Sequence, residues 1–346
     1  MEPPAPRPRW SLPPVLATAV FVWVAWLVLM ARQDAWHLFQ DNWFMSVTMV
    51  FGSFIAGATS EGGGAVAFPV MTLAFDIAPH VARDFALMIQ SVGMIAAAVT
   101  IALSGIAIER RAVVFAGLGG AVGMLIGLEL IAPRLSPPFV KMFFTSFWLS
   151  FALALYWTNR RRHRQVLPRI ADYRPQHAAV LFAVGVLGGV ISGLTGSGLD
   201  ILTFSLLVLA FRISEKIATP TSVVLMGGNA LVGFLYKWTL ASQPLAAEAW
   251  NYWYVCVPIV VVGAPVGARF IATRSRLFIA GFLYLSIGVQ FVAALLLVPQ
   301  TGPLLLFCAA TIVGGGLLFR TMDRVGARRL AASEVDRPGR REPPVR

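Results

Sequence analysis

The sequence carries little charge for its length. Only 13% of its 346 residues are Asp, Glu, Lys or Arg, and 58% are hydrophobic, whereas about a quarter of the residues of a soluble domain are charged. Long polar stretches are also missing, since the longest one between apolar runs, 158–177, has 20 residues. These shortages exclude a soluble domain and predict an all-α polytopic membrane protein, in which runs of about 20 apolar residues cross the bilayer.

Cysteine, histidine and nucleotide-binding motifs are scarce as well. The two cysteines, Cys256 and Cys308, lie inside apolar runs and indicate no disulfide framework. The four histidines lie in predicted loops without metal-ligand spacing. There is no Walker loop, and no predicted strand precedes the Gly62–Gly64 run. We therefore expect no enzyme, no metal site and no cofactor.

The net charge of +12 does not indicate a nucleic-acid partner. Six arginines fall within 158–177, and eight more lie between Arg320 and the C-terminus. Lys and Arg concentrate in this way in the cytoplasmic loops and tails of membrane proteins. The lipid bilayer, and no nucleic acid, is the partner that this pattern predicts.

Ten apolar runs follow one another, and two are too long for one span. Runs 43–75 and 178–211 have 33 and 34 residues, and each is interrupted at its middle by Gly, Ser and Thr. Because one span needs about 20 residues, each long run is predicted to be a re-entrant hairpin of two half-length helices. The other eight runs are 15–31, 82–104, 112–132, 139–157, 217–240, 251–273, 277–298 and 302–319.

The two long runs are copies of each other. With an offset of 136, 12 of 33 compared positions are identical, among them Gly57 with Gly193, where roughly 3 or 4 would match by chance in so biased a composition. Gly123-x-x-x-Gly127 has a counterpart in Gly263-x-x-x-Gly267. The chain is thus predicted to repeat a hairpin and three spans, with one extra span at each end.

The arginines decide the predicted topology. If each long run is a hairpin, the six-arginine loop lies inside, and the outside loops carry only Arg32 and Arg134. The two repeats are then inverted, as in many secondary transporters, and both termini are cytoplasmic. Run 15–31 is taken as the first span, with a cleaved signal peptide as the alternative. The predicted units are a tail and first span (1–42), repeat 1 (43–158), a basic loop (159–177), repeat 2 (178–299), and a last span with a basic tail (300–346).

The interruptions of the two long runs are the predicted anion site. We expect the two tips to meet in mid-membrane, where free backbone N–H groups at the start of the returning helices and the hydroxyls would hold a small anion. Close packing between membrane helices, which also favours Gly and Ser, is the alternative. The predicted substrate-binding residues of the tips are Thr59, Ser60, Gly62, Gly63, Gly64, Thr195, Gly196, Ser197 and Gly198.

Glu61 and Asp200 are carboxylates inside these tips. An ionised carboxylate would repel an anion, and burial in a membrane favours the protonated form. We therefore predict that Glu61, and less strongly Asp200, carries a proton coupled to anion movement. The alternative is that each caps the helix that follows it.

A second polar layer lies in the spans that follow the hairpins. It comprises Gln90 and Ser91 in the first repeat and Thr221, Ser222 and Asn229 in the second. These residues are predicted to complete the site, with helix–helix hydrogen bonding as the alternative.

Two basic residues, Arg83 and Lys237, lie near the ends of these same spans. They are candidates for attracting anions at the mouths of the protein. The alternative is that their side chains simply extend to the membrane surface.

These features resemble the sulfite exporter TauE/SafE family, also grouped as the sulfonate uptake permeases. The resemblance covers about 43–319 and rests on the duplicated Gly-rich breaks, Phe68-Pro69-Val70 and Thr221-Ser222. The second copy departs from the first, with Ser205 and Asp200 where the first has Pro69 and Gly64.

The resemblance implies a transporter of sulfite, organosulfonates or related small organic anions in the bacterial inner membrane. The inverted repeat favours alternating access. The tip carboxylates are the candidates for coupling this transport to protons. An anion channel and a non-transport membrane assembly factor are the alternatives.

Overall fold

The computed structural model describes residues 12–59, 64–159, 166–171, 173–272 and 276–335. Nearly all of these residues are helical, and the only β-type pairing among them is an isolated bridge between Leu167 and Ile213. The helices are α1 (Leu12–Gln33), α2 (Leu38–Ala58), α3 (Gly64–Pro69), α4 (Pro79–Leu103), α5 (Arg110–Ile126), α6 (Pro137–Asn159), α7 (Pro175–Thr195), α8 (Leu199–Ser205), α9 (Glu215–Thr239), α10 (Ala247–Ala272), α11 (Arg276–Leu297) and α12 (Gly302–Val335).

Among the described residues, eight helices are long and apolar enough to cross a membrane. Several of them begin where the sequence supplies a start signal. Proline occupies the first position of α4, α6 and α7, where its missing N–H costs no hydrogen bond. Glu109 caps α5 by accepting from the N–H of Arg111. The predicted class, an all-α polytopic membrane protein, is confirmed.

Each overlong run doubles back on itself. In the first, the rings of Phe44 and Phe75 lie 4.2 Å apart between centroids. In the second, the rings of His177 and Phe211 lie 5.5 Å apart. Each hairpin therefore starts and finishes at the same end of the bundle, as the sequence predicts.

The two arms of each hairpin are unequal, and the expectation of two half-length helices is wrong. The first arms, α2 and α7, have 21 residues each, and α2 is kinked at Asn42, whose φ of −121° and ψ of 18° are not helical. The uninterrupted α7 is about 31 Å long. The return arms are short, because α3 and α8 have 6 and 7 residues and each continues for 5 residues as a π-helical turn, Val70–Ala74 and Leu206–Ala210. The first arms also begin earlier than the predicted residues 43 and 178.

The first arm of each hairpin packs on a helix from the other half of the chain. The hairpin helix α2 packs on α10 of the second half, and α7 packs on α5 of the first. In the same way α4 packs on α10 and α9 on α5, while α4 and α9 pack on each other. Each hairpin is therefore held mainly by helices of the opposite half.

Glycines allow the closest of these contacts. A Cβ at Gly123 or Gly127 would collide with a backbone carbonyl oxygen of α7, that of Val186 or Val190. The corresponding glycine of α10, Gly267, meets the carbonyl oxygen of Phe54 in the same way. The repeated Gly-x-x-x-Gly pattern thus brings helix backbones into direct contact.

The last helix extends beyond its predicted span. Helix α12 continues through the basic segment to Val335, and its second half packs on the return arm of the second hairpin. Arg212 forms a 3.0 Å ion pair with Asp323, and the guanidinium of Arg329 lies 5.0 Å from the ring centre of Phe211. This segment therefore fastens the end of the second hairpin.

The glycine contact between α5 and α7 gives a stability test. We expect Gly123→Ala to lower the melting temperature of the purified protein, because overpacking typically costs about 1–3 kcal/mol. Gly316→Ala is the matched control, since a Cβ there meets no atom within 4 Å and alanine favours a helix by about 1 kcal/mol. Melting is followed by tryptophan fluorescence in detergent. Equal melting temperatures for the two variants would contradict the contact.

Candidate functional site

The tip of the second hairpin, here called tip 2 (residues 195–200), depends on two glycines. Gly196 ends α7 in the left-handed region at φ 83°, and Gly198 precedes α8 at φ 156°. A side chain at either position would be strained, because L-residues rarely adopt these angles. Ser192 stabilises the turn through two hydrogen bonds. Its carbonyl oxygen accepts from the N–H of Gly196 at 2.7 Å, and its Oγ accepts from the N–H of Leu199 at 3.0 Å.

The polar side chains of tip 2 are fully buried and bond to one another. The carboxylate of Asp200 accepts from the N–H of Gly198 at 2.6 Å and from the hydroxyl of Ser197 at 2.9 Å. Thr195 Oγ1 lies 2.8 Å from the carbonyl oxygen of Ser197. Asp200 therefore bonds as a residue that caps the start of α8 would. Its carboxylate accepts from Ser197 and Gly198, the same groups that the sequence predicts would bind an anion.

Gln90 joins tip 2 to α4. Its Nε2 donates to the carbonyl oxygen of Gly196 at 3.0 Å, while its Oε1 is buried without a hydrogen-bond partner among the described residues. The structure therefore brings Gln90 to the tip, as predicted. Its neighbour Ser91 instead donates to the carbonyl oxygen of Met88 in its own helix.

The first tip is described only at its two edges. Thr59, at the end of α2, is buried and donates to the carbonyl oxygen of Ile55 at 2.9 Å, and Gly64 begins α3. Four predicted site residues lie outside the described residues, namely Ser60, Glu61, Gly62 and Gly63.

Tip 2 contacts α4 near the start of that helix, where a Cβ at Gly196 would lie 2.6 Å from that of Ala86. In the first hairpin, the end of α2 packs on α10, since a Cβ at Gly57 would collide with the carbonyl oxygen of Ala264. Because residues 60–63 of the first tip lie outside the described residues, the meeting of the two tips stays a prediction.

The predicted residues of α9 do not gather around tip 2. Thr221 accepts from the backbone N–H of Glu109 at 2.9 Å and so joins α9 to the start of α5. Ser222 donates to the carbonyl oxygen of Thr219 in its own helix. Asn229 is the nearest of the three to tip 2, since its Oδ1 and the side chain of Leu199 both border Gly120.

Arg83 and Lys237 do not extend to the membrane surface, and that alternative is wrong. Both are buried against Asp84, which the sequence reasoning missed. Arg83 Nη2 lies 2.9 Å from Asp84 Oδ1, and Lys237 Nζ lies 2.8 Å from Asp84 Oδ2. An acidic residue next to a basic one inside an apolar run was the available signal, because intramembrane charges require partners.

A cavity of about 320 Å³ lies beside this ion cluster. Its walls come from the start of α4, the segment between α5 and α6, the start of α6, and the connection between α9 and α10. Leu194 of α7, which precedes tip 2, also borders the cavity. The lining residues are Pro79, His80, Arg83, Ala132, Pro133, Leu135, Pro137, Val140, Leu194 and Gln243.

The comparisons with known proteins give one match. A family model described as "Sulfite exporter TauE/SafE" matches residues 44–292, which is most of the chain. No curated protein and no solved structure matches the chain significantly. The match includes both hairpins and the helices that pack on them.

The hydrogen bonds of tip 2 give a stability test. We expect Asp200→Ala to destabilise the protein by roughly 2–4 kcal/mol, because it leaves the buried donors of Ser197 and Gly198 without the carboxylate. Thr203→Val on the same helix is the control. The Thr203 hydroxyl is buried without a described hydrogen-bond partner, so its loss should be neutral or stabilising by about 1 kcal/mol. Thermal melting in detergent measures both, and a stable Asp200→Ala would contradict the assigned bonding.

Proposed function

Because the chain belongs to the sulfite exporter TauE/SafE family, we propose that it is a secondary transporter of a small anion in the bacterial inner membrane. The substrate class is sulfite, an organosulfonate or a related sulfur-containing organic acid, and the mechanism is alternating access coupled to protons. Both termini are placed in the cytoplasm, since the basic loops then lie inside.

The bonding of Asp200 carries this proposal. Its carboxylate is an oxyanion held by one backbone N–H and one hydroxyl of tip 2, at 2.6 Å and 2.9 Å. Charge-assisted hydrogen bonds of this kind are the ones that bind sulfite or sulfonate oxygens. A substrate at Ser197 and Gly198 would use the same donors, and so it competes with the protein's own carboxylate.

This competition suggests how a proton is coupled to the anion. A protonated Asp200 carries no charge and holds the donors of tip 2 less strongly, which favours their transfer to a substrate anion. Release of the proton restores the carboxylate and expels the anion. In the first tip Glu61 is the corresponding candidate for carrying a proton.

The packing of the two halves supports alternating access. Each hairpin contacts mainly helices of the opposite half, so a rocking of one half against the other moves each tip relative to its own half. Gly196 of tip 2 lies against Ala86 near the start of α4, whereas Gly57 of the first hairpin lies against Ala264 toward the end of α10. Transporters with inverted repeats open their two sides in turn by such motions.

The transport assay uses the full chain in proteoliposomes. We expect saturable uptake of at least one of sulfite, taurine, sulfoacetate and lactate, with exchange of internal for external substrate, because a carrier binds each anion before moving it. Gln90→Leu should reduce this uptake by about tenfold or more, since it removes the bond between α4 and tip 2. Absence of flux for all four anions would overturn the proposal, and non-saturating flux without exchange would indicate a channel.

The coupling test compares pH profiles of uptake. In the wild type we expect uptake to rise as the pH falls, because protonation of Asp200 frees the donors of tip 2. Asp200→Asn has no carboxylate to protonate, so its uptake should vary less with pH. Asp323→Asn, in the distant contact with Arg212, is the control.

Glu61→Gln is measured in the same assay. Coupling at the tips requires that at least one of Asp200→Asn and Glu61→Gln flattens the profile. Wild-type pH profiles in both variants would contradict it.

A further inference from the structure

The cavity next to the ion cluster lies at the end of the bundle where α4 and α6 begin. The positive-inside rule assigns this end to the outside, because the arginine-rich loops lie at the other end. Leu194 on the cavity wall immediately precedes tip 2, and Arg83 lies on the wall as well. The cavity therefore lies at the predicted outer end of the bundle, and one part of its wall is next to tip 2.

The ion cluster sets two basic side chains, Arg83 and Lys237, around one buried carboxylate. Its single carboxylate, Asp84, accepts from Lys237 Nζ at 2.9 and 2.8 Å, from Arg83 at 3.1 and 2.9 Å, and from the N–H of Ala246 at 3.1 Å. The side chains of Arg83, Asp84 and Lys237 are 7%, 1% and 3% exposed, so water screens them weakly. The next carboxylate, Glu129, is half-buried, accepts from the N–H of Ser242 and interacts electrostatically with Lys237. Of these four charged side chains, only that of Arg83 lines the cavity.

Arg83 has one guanidinium nitrogen, Nη1, that does not bond to Asp84. Its Nε and Nη2 both donate to Asp84, and Nη1 has no hydrogen-bond partner among the described residues. Asp84 and Lys237 thus fix the guanidinium in place. A guanidinium held in this way binds a sulfonate or carboxylate oxygen without losing further side-chain freedom.

We propose that this cavity binds a small organic anion, with its charged head group on Arg83 Nη1 and its apolar part against Leu135, Val140 and Leu194. The proposal rests on the proposed function, because the anion bound here is the substrate on its way to or from tip 2. It is a separate site, however, since apart from Leu194 of α7 its residues come from α4, α6 and the adjoining loops.

The lining and the volume indicate an organic anion instead of a bare inorganic one. A cavity of about 320 Å³ has the volume of about ten water molecules, far more than one sulfite ion fills. Apart from Arg83, His80 and Gln243, its lining is apolar and includes three prolines. Mostly apolar walls with a few polar groups are typical of sites that bind small organic ligands. We therefore expect affinity to rise with the length of the apolar part.

The first experiment measures binding to the purified full chain by calorimetry, with methanesulfonate, butanesulfonate and the uncharged butyl methyl sulfone as probes. The wild type should bind butanesulfonate more tightly than methanesulfonate and should not bind the sulfone. Arg83→Gln should weaken sulfonate binding by about tenfold or more, and Asp84 still keeps Lys237 as a partner in this variant. Val140→Thr, which places a hydroxyl on the apolar wall, should reduce the preference for butanesulfonate.

Lys141→Gln is the matched control. It removes one positive charge from the same end of the protein, but Lys141 pairs with the exposed Asp76 at 2.9 Å and does not line the cavity. Its sulfonate affinity should equal that of the wild type. Equal affinity in Arg83→Gln and the wild type, or equal loss in Arg83→Gln and Lys141→Gln, would overturn the proposal.

A second measurement does not require that Arg83→Gln folds. Gln243 lines the cavity and is exposed, whereas Cys256 and Cys308 are buried, so Gln243→Cys offers one accessible thiol for a maleimide. Butanesulfonate should slow its modification at lower concentration than methanesulfonate, and butyl methyl sulfone should not. Protection by the sulfone, or by neither sulfonate, contradicts an anion site here.

The outcomes separate this inference from the proposed function. Sulfonate binding that depends on Arg83, together with no flux of any anion in proteoliposomes, would overturn the transport proposal and leave the cavity site intact. Saturable flux that is unchanged in Arg83→Gln, with no protection of Gln243→Cys, would overturn the cavity site alone.

Discussion

The carboxylate of Asp200 and the donors of tip 2 form the interaction on which the rest of the structure depends. A chain that turns back inside a membrane exposes backbone groups that lipid cannot satisfy. Here Asp200, Ser192 and Gln90 satisfy them, through the N–H groups of Gly198 and Leu199 and the carbonyl of Gly196. Because Gln90 belongs to α4, the same bonds that close the tip also fix its height in the bundle.

The glycine contacts explain why the hairpins are held by the opposite half of the chain. Gly123 and Gly127 let α5 lie backbone-to-backbone on α7, and Gly267 does the same for α10 on α2. At these points the helix backbones are in direct contact, with no side chain between them. The first arm of each hairpin is therefore held along its length by a helix of the other half, while the tip of the second hairpin is held by its own hydrogen bonds.

Most of the architecture could be predicted from composition and internal repetition, because run length, glycine spacing and arginine placement act through general membrane physics. The unequal arms could not, because the first arms begin before the apolar runs, at Leu38 and Pro175, so the length of the run alone underestimates them. The burial of Arg83 and Lys237 around Asp84 depends on contacts 153 residues apart, which one sequence does not specify. Gln90 was predictable because a lone amide in an apolar span requires a partner.

The charges of the two halves are not equivalent, and this difference bears on the transport cycle. With the offset of 136, Arg83 and Asp84 correspond to Thr219 and Pro220, so the second half has no counterpart of this ion pair at these positions. At the tips, Ser197 corresponds to Glu61 and Asp200 corresponds to Gly64. The second tip therefore has a hydroxyl followed by a carboxylate, whereas the first has a carboxylate followed by a glycine. In the carrier that we propose, an anion therefore meets Arg83 and the donors of tip 2 in one access state and different groups in the other, so its affinity differs between the two states. This difference changes the rate of each half of the cycle, whereas the gradients of the anion and of the coupled proton set the direction of net transport, because unequal binding alone does no work on the substrate.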